Sequence, residues 1–157
     1  MDKLLKLLNT NARLSGEQMA VMLNMTEAEV DAAIAKLEAD GVLRGYKPLI
    51  DWEKTDEAVV TAIIELSIAP SKDEGFDGIA GTIMAMDEVE SLSLMSGGHD
   101  LMVTVNGRTF KDVALFVAKR LSSLDGVLST ATHFVLKKYK ERGVLFTDEE
   151  QDERGNL

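Results

Sequence analysis

Apolar residues recur along this chain with two different periods, and the change of period divides it near residue 51. In the first part the spacing is helical. Asp2 to Leu8 carries Leu4, Leu5, Leu7 and Leu8 and predicts a short helix that needs partners. Ser15-Gly16-Glu17-Gln18 has capping-box spacing, with Ser15 as N-cap and Gln18 reaching back, and Met19, Met22 and Leu23 follow as an apolar stripe. After the link Leu23-Asn24-Met25, Thr26-Glu27-Ala28-Glu29 repeats the signal, and Val30, Ile34 and Leu37 fall on one helix face. Gly41 is a natural C′ stop. Three short helices with a tight second link fit a helix-turn-helix, and a small bundle used only for packing fits them equally well. Val42 to Asp51, with Gly45, Pro48, Arg44 and Lys47, predicts a short wing.

Past the charged connector Trp52 to Asp56, the period becomes two. Ala58, Val60, Ala62, Ile64, Leu66 and Ile68 alternate as the buried face of a long strand. Pro70 to Gly75 reads as a loop, and Phe76, Ile79, Ala80, Ile83 and Met84 as an amphipathic helix weakened by Gly78 and Gly81. A hairpin follows, with Leu92 and Leu94 on one arm, Leu101, Val103 and Val105 on the other, and Gly97-Gly98 in the connection. Phe110, Val113, Ala114, Val117, Ala118 and Leu121 predict a second helix, and Val127 to Leu136 the last strand. Strand, helix, strand, strand, helix, strand is the split-βαβ order, an antiparallel sheet with both helices on one face. Val59 and Ile63 leave apolar groups on the other face, which suggests a subunit interface. The expected fold class is α+β, an N-terminal winged helix-turn-helix (residues 1–51), a linker (52–56), a ferredoxin-like βαββαβ domain (57–140) and a charged tail (141–157).

Composition narrows the function classes. A chain of 157 residues, 45% apolar and 28% charged, is an ordinary globular chain of one domain or two small ones. The lack of cysteine excludes disulfides, thiolate chemistry and cysteine-type zinc sites. No apolar run approaches the roughly 20 residues that span a bilayer, and Met1 to Leu8 is too short and too interrupted by Lys3 and Lys6 for a signal peptide. A cytoplasmic protein without membrane association is expected. A net charge of -10 argues against a generally basic nucleic-acid coat and leaves a local positive face open. The tail is basic from Lys137 to Arg142 and acidic from Asp148 to Glu153, which reads as solvated terminal sequence.

The hairpin connection carries the candidate chemistry. Gly97 and Gly98 allow a ligand carboxylate to approach bare backbone N–H groups, and Asp100 can pair with an ammonium, so the loop suits a small zwitterion. Alternatively, the glycines only shape the turn. Thr130 and Thr132 on the last strand offer hydroxyls to the same ligand. His99 beside Asp100 permits an acid–base reading, although neighbours on a strand point to opposite faces. His133, with Ala131 and Val135 on its side, reads as a packed or interface residue. No metal-spaced or phosphate-loop motif occurs, so no cofactor and no fixed metal are expected.

The run Asn11-Ala12-Arg13-Leu14-Ser15, Met19-Ala20, Val30, Ile34, Leu37-Glu38, Gly41-Val42-Leu43 and Gly45-Tyr46, followed by Gly97-Gly98-His99-Asp100 and Asp125-Gly126-Val127, resembles the Lrp/AsnC (leucine-responsive, or feast/famine) transcriptional regulators over nearly the whole chain. The resemblance implies an N-terminal domain that binds double-stranded DNA. It also implies a C-terminal domain that dimerises, assembles to tetramers or octamers, and binds a small effector, usually an amino acid. The family's Gly-x-x-Asp effector loop maps to Gly97 and Asp100. With Gly98, His99, Thr130 and Thr132 these are the candidate effector-binding residues. The helix that would read DNA departs from the pattern, because Ala32 and Ala33 stand where relatives often carry Arg or Lys. Residues 1–56 hold seven Lys or Arg against ten Asp or Glu. Lys36, Arg44 and Lys47 remain the DNA-binding candidates, with Arg13 assigned a structural role. An amino-acid-responsive regulator, not an enzyme, is the expected function. The alternatives are a sensor of this fold that no longer binds DNA, and a decarboxylase of the sirohaem type that some relatives resemble.

Overall fold

The computed structural model describes residues 2–147, and the acidic run Asp148 to Glu153 lies outside them. The chain divides into two compact units, residues 1–48 and 49–157. The first holds α1 (Asp2–Thr10), α2 (Gly16–Leu23) and α3 (Glu27–Ala39). Both expected capping boxes form: the Ser15 hydroxyl accepts from Gln18 N–H, and the Thr26 hydroxyl from Glu29 N–H, with Gln18 and Glu29 accepting in return. Asn24, at φ 55, ends α2, and Gly41, at φ 68, follows the α3 C-cap Asp40. Leu4, Leu8, Met19, Ala20, Val30 and Leu37 make the buried core. Met22 differs from expectation. It is exposed, and Ala20 is buried in its place beside Met19. The segment expected as a wing runs from Leu43 to Ile50 with no paired strand among the described residues.

The second unit opens on a short 3₁₀ turn (Trp52–Lys54) and then contains β1 (Val60–Ile68), α4 (Asp77–Met84), β2 (Val89–Leu94), β3 (Leu101–Gly107), α5 (Phe110–Phe116, continued by a wider turn over Val117–Leu121) and β4 (Val127–Phe134). The sheet order is β2-β3-β1-β4, with every neighbouring pair antiparallel. This is the ferredoxin-like βαββαβ arrangement. Ala62, Ile64, Leu66 and Ile68 of β1 are buried with Leu101, Val103 and Val105 of β3 and with Ile83, Val113, Phe116, Val117 and Leu121 from the helices. The alternate β1 positions Ile63 and Glu65 lie on the other face, opposite Thr104 and Met102 of β3 and His133 and Ala131 of β4.

Three differences have local causes. Ser122 N–H donates to Val117 O at 2.8 Å, an i→i+5 bond that widens the end of α5 and brings Leu121 inward in place of Arg120; ahead of it Val113, Phe116 and Val117 are buried at ordinary helical spacing, with Ala114 and Ala118 outside. Leu94, although opposite Leu101, is 61% exposed because β2 is the edge strand. The chain also does not become plain tail at residue 141: β5 (Lys140–Glu141) and β6 (Val144–Leu145) form a hairpin.

Candidate functional site

One backbone bond across its base and two ties to β1 fasten the β2–β3 loop. Met95 N–H donates to Asp100 O at 2.8 Å, and Asp100 N–H donates to Leu66 O at 2.9 Å. The Asp100 carboxylate then accepts from Ile68 N–H at 2.7 Å, next to the point where β1 slips register against β4. At the tip Gly97 has φ 135, and a Cβ on either Gly97 or Gly98 would meet nothing within 4 Å. The exposed backbone of these two residues is therefore open to a ligand, while the base of the loop is held to β1.

Asp100 thus has a bond within the fold in addition to its expected role as a partner for an ammonium. One carboxylate oxygen satisfies a buried strand end that would otherwise lack an acceptor. His99 turns the other way: its Nε2 lies 2.9 Å from Glu65 Oε2 on the face of the sheet away from the helices. His133 Nε2 lies 3.4 Å from the same oxygen. The chain's two histidines therefore converge on one carboxylate, and His99 Nδ1 is buried with no hydrogen-bond partner among the described residues. The sequence alone does not single out Glu65, an unnamed position between the alternating apolar residues of the first strand. Its partners are 34 and 68 residues away, and no local signal links them.

Thr130 and Thr132 are not brought to this cluster. Their register opposite Leu66 and Ile64 puts them on the helix-covered side, and Thr130 Oγ1 lies 3.4 Å from Ser122 Oγ. His99, the residue after the Gly97-Gly98 pair, therefore meets Glu65, and the threonines do not.

In the first unit, Lys36 Nζ lies 2.7 Å from Asp40 Oδ2, both side chains well exposed. The Arg44 guanidinium folds over Gly41, where a Cβ would come within 3.0 Å of its Cζ. Lys47 is exposed on the extended segment. At the start of α3, hydrogen bonds from the Thr26 backbone and then its side chain hold the Glu29 carboxyl below its ordinary range. The exposed start of α3 is thus acidic, with Glu27 and Asp31 beside Glu29.

A three-helix unit with two capped, closely linked helices, followed by a ferredoxin-like unit with an open loop at one end of its sheet, is the architecture of a ligand-responsive helix-turn-helix protein. A model of the Lrp/AsnC ligand binding domain matches residues 61–145. An uncharacterized HTH-type transcriptional regulator of Bacillus subtilis, YugG, is 43% identical over 153 residues, covering 97% of this chain and 92% of that protein. The leucine-responsive regulatory protein of Haemophilus influenzae is 24% identical over 143 residues, covering 91% of this chain and 86% of its own length. A transcriptional regulator of Neisseria meningitidis, solved as its complex with L-Met, superposes with a TM-score of 0.72 at 26% identity, over 88% of this chain and 89% of that one. The chain belongs to the Lrp/AsnC family of helix-turn-helix transcriptional regulators.

Proposed function

We propose that this regulator binds double-stranded DNA as a homo-oligomer and responds to a free amino acid held at the β2–β3 loop. The observation that carries the reading is the loop itself: a bare Gly97-Gly98 backbone on a base tied to β1 through Asp100. Its N–H groups suit the ligand's carboxylate, and Glu65 or the second oxygen of Asp100 suits its ammonium. The complex of the Neisseria meningitidis regulator with L-Met supports an amino acid as the ligand class. Thr130 and Thr132 have no part in this site. Residues 1–48 supply DNA binding through Lys36, Arg44 and Lys47. The second unit supplies assembly, with the sheet face around Ile63 and Met102 as a subunit contact, dimers building to tetramers or octamers. Such a protein works in the cytoplasm. It acts by binding rather than by catalysis, a reading supported by His99 and Asp100 turning to different partners.

A thermal-shift screen of the twenty amino acids tests the effector. A ligand specific to the native state raises stability by about 2.7 kcal/mol at a hundredfold excess over its Kd. Gly98 has ordinary φ and open space, so Gly98→Val keeps the fold and covers the backbone a carboxylate would use. It is expected to remove the shift. No shift with any amino acid, or an undiminished shift in the variant, overturns the effector reading. For DNA, a mobility shift on the protein's own upstream region at low salt is expected. It should weaken in the Arg44→Ala, Lys47→Ala double variant, with the salt slope falling by about one unit for each phosphate no longer neutralised. An unchanged slope removes these residues from the interface.

A further inference from the structure

The β5–β6 hairpin pairs Lys140 with Leu145 and Glu141 with Val144, leaving Arg142 and Gly143 as the turn. Both have positive φ, 48 and 87. That is the two-residue turn whose backbone matches strand twist, and its first position favours Asn or Asp, whose short side chains tolerate the left-handed region. Among the described residues only Asn24 and Arg142 adopt positive φ without being glycine. Asn24 ends a helix, where asparagine is at home. Arg142 has no such reason to be there: a residue poorly suited to the turn is held at its tip, which directs attention to its side chain.

The surroundings are basic in a chain of net charge -10. Lys137, Lys138, Lys140 and Arg142 fall within six residues, with Glu141 the one acid among them. Glu141 pairs with Lys138, whose ammonium also lies 5.1 Å over the Phe146 ring. Lys137 lies 5.1 Å over Tyr139, which is 64% exposed. Lys140 and Arg142 are exposed and form no ion pair among the described residues. The hairpin therefore presents two uncommitted cations beside an exposed aromatic. In the first unit, by contrast, Lys36 is engaged by Asp40 and the start of α3 is acidic.

We propose that the hairpin is a second DNA contact, with Arg142 and Lys140 binding backbone phosphates irrespective of sequence. This rests on the DNA-binding reading above and places part of the affinity on the second unit. Phosphate affinity follows the number of cations delivered to the duplex, and an oligomer repeats each hairpin once per subunit. Arginine at a turn tip projects a planar fork of donors away from both strands, which suits a phosphate and costs little desolvation.

The test uses the full chain and a mixed-sequence duplex of about 40 base pairs, with affinity read by anisotropy from about 25 to 200 mM KCl. Arg142→Asn installs the residue the turn prefers, so it is expected to raise the melting temperature while weakening DNA binding. A role confined to holding the hairpin together would not move the two in opposite directions. The Arg142→Asn, Lys140→Gln double variant is expected to lose about two units of salt slope, near 0.9 for each phosphate no longer neutralised. Arg142→Lys, which keeps the charge, is expected to retain the parent's slope. If the parent binds and the double variant has the same slope, the hairpin does not touch DNA and the DNA-binding reading survives. If Arg142→Asn lowers both stability and affinity, Arg142 is structural and the proposal fails. A parent that binds no duplex at the lowest salt overturns both.

Discussion

The two units of this chain are specified at different ranges. In the first, helix boundaries are written in windows of four residues: Ser15 with Gln18 and Thr26 with Glu29 exchange bonds of 2.9 and 3.1 Å and of 2.8 and 3.3 Å across each helix start. Among the described residues its buried core is six side chains. In the second, β1 is flanked by β3 and β4, so that Leu66 lies between Leu101 and Thr130, and thirteen buried residues make the core. A unit with few buried side chains depends heavily on its caps, because helices this short are marginal without tertiary support. A unit with a central strand buried from both sides depends on packing instead.

The largest expected effect follows from that contrast. Leu66 is fully buried at the centre of the sheet, so Leu66→Ala should cost about 2–5 kcal/mol, lost transfer energy plus a cavity that strands on both sides keep from collapsing. Denaturant unfolding read on the second unit would measure it. A cost comparable to that of losing one cap would break the distinction between the units.

Asp100 comes next. Its carboxylate ties the loop to the end of β1, and Asp100→Ala leaves Ile68 N–H, on a residue only 5% exposed, without its acceptor. The expected cost is about 1–3 kcal/mol. Hydrogen exchange should rise at Ile68 and along the loop, and Asp100→Asn, which keeps an acceptor oxygen, should recover much of the loss. Equal exchange at Ile68 in parent and Asp100→Ala would show that the tie is dispensable.

The same difference in range explains what the sequence revealed. The capping boxes, the Gly41 stop and the alternation of β1 were legible because each is complete within a few residues. Met22 was misplaced because α2 has only eight residues, too few turns for a period to separate Met19-Ala20 from Val21-Met22. The inward face of α5 was misread at Ala114 and Ala118 because apolar residues at 113, 114, 117 and 118 and at 113, 116 and 117 both fit a helical period, and only packing against the sheet selects the second set. Within the candidate site, Gly97, Gly98 and Asp100 were identifiable as a loop. The ties from Asp100 to Ile68 and from His99 to Glu65 join residues more than thirty positions apart and become visible only once the sheet is assembled. The turn at Arg142-Gly143 escaped notice because arginine is not a turn former.

Thr26→Ala sharpens the comparison from the other side. It removes the hydroxyl that accepts from Glu29 N–H at 3.3 Å and should cost about 1 kcal/mol, a smaller loss than Leu66→Ala but one borne by a smaller core. Amide exchange should quicken through α3 and leave β1 unchanged. If β1 amides respond equally, the two units do not unfold separately, and the contrast in range has no energetic counterpart.

The smallest effect is the charge on the same cap. The Glu29 carboxylate accepts from Thr26 N–H at 2.8 Å and from Thr26 Oγ1 at 2.9 Å. These bonds, the backbone one first, hold its pKa below the ordinary 4.5. A carboxyl group depressed in the folded state contributes stability that is fully present above its unfolded value and is lost as pH falls through its folded value. Acidification below 4.5 should therefore loosen the α3 N-terminus, and the group's full exposure to solvent keeps the effect small. The amide shifts of Thr26 and Glu29, followed by NMR through that range, are the measurement. Glu29→Gln keeps an acceptor without a titrating charge, so its Thr26 amide should stay nearly constant where the parent's moves. A variant that titrates as the parent does would assign the change to another carboxylate, with Glu27 and Asp31 on the same helix as the nearest in sequence.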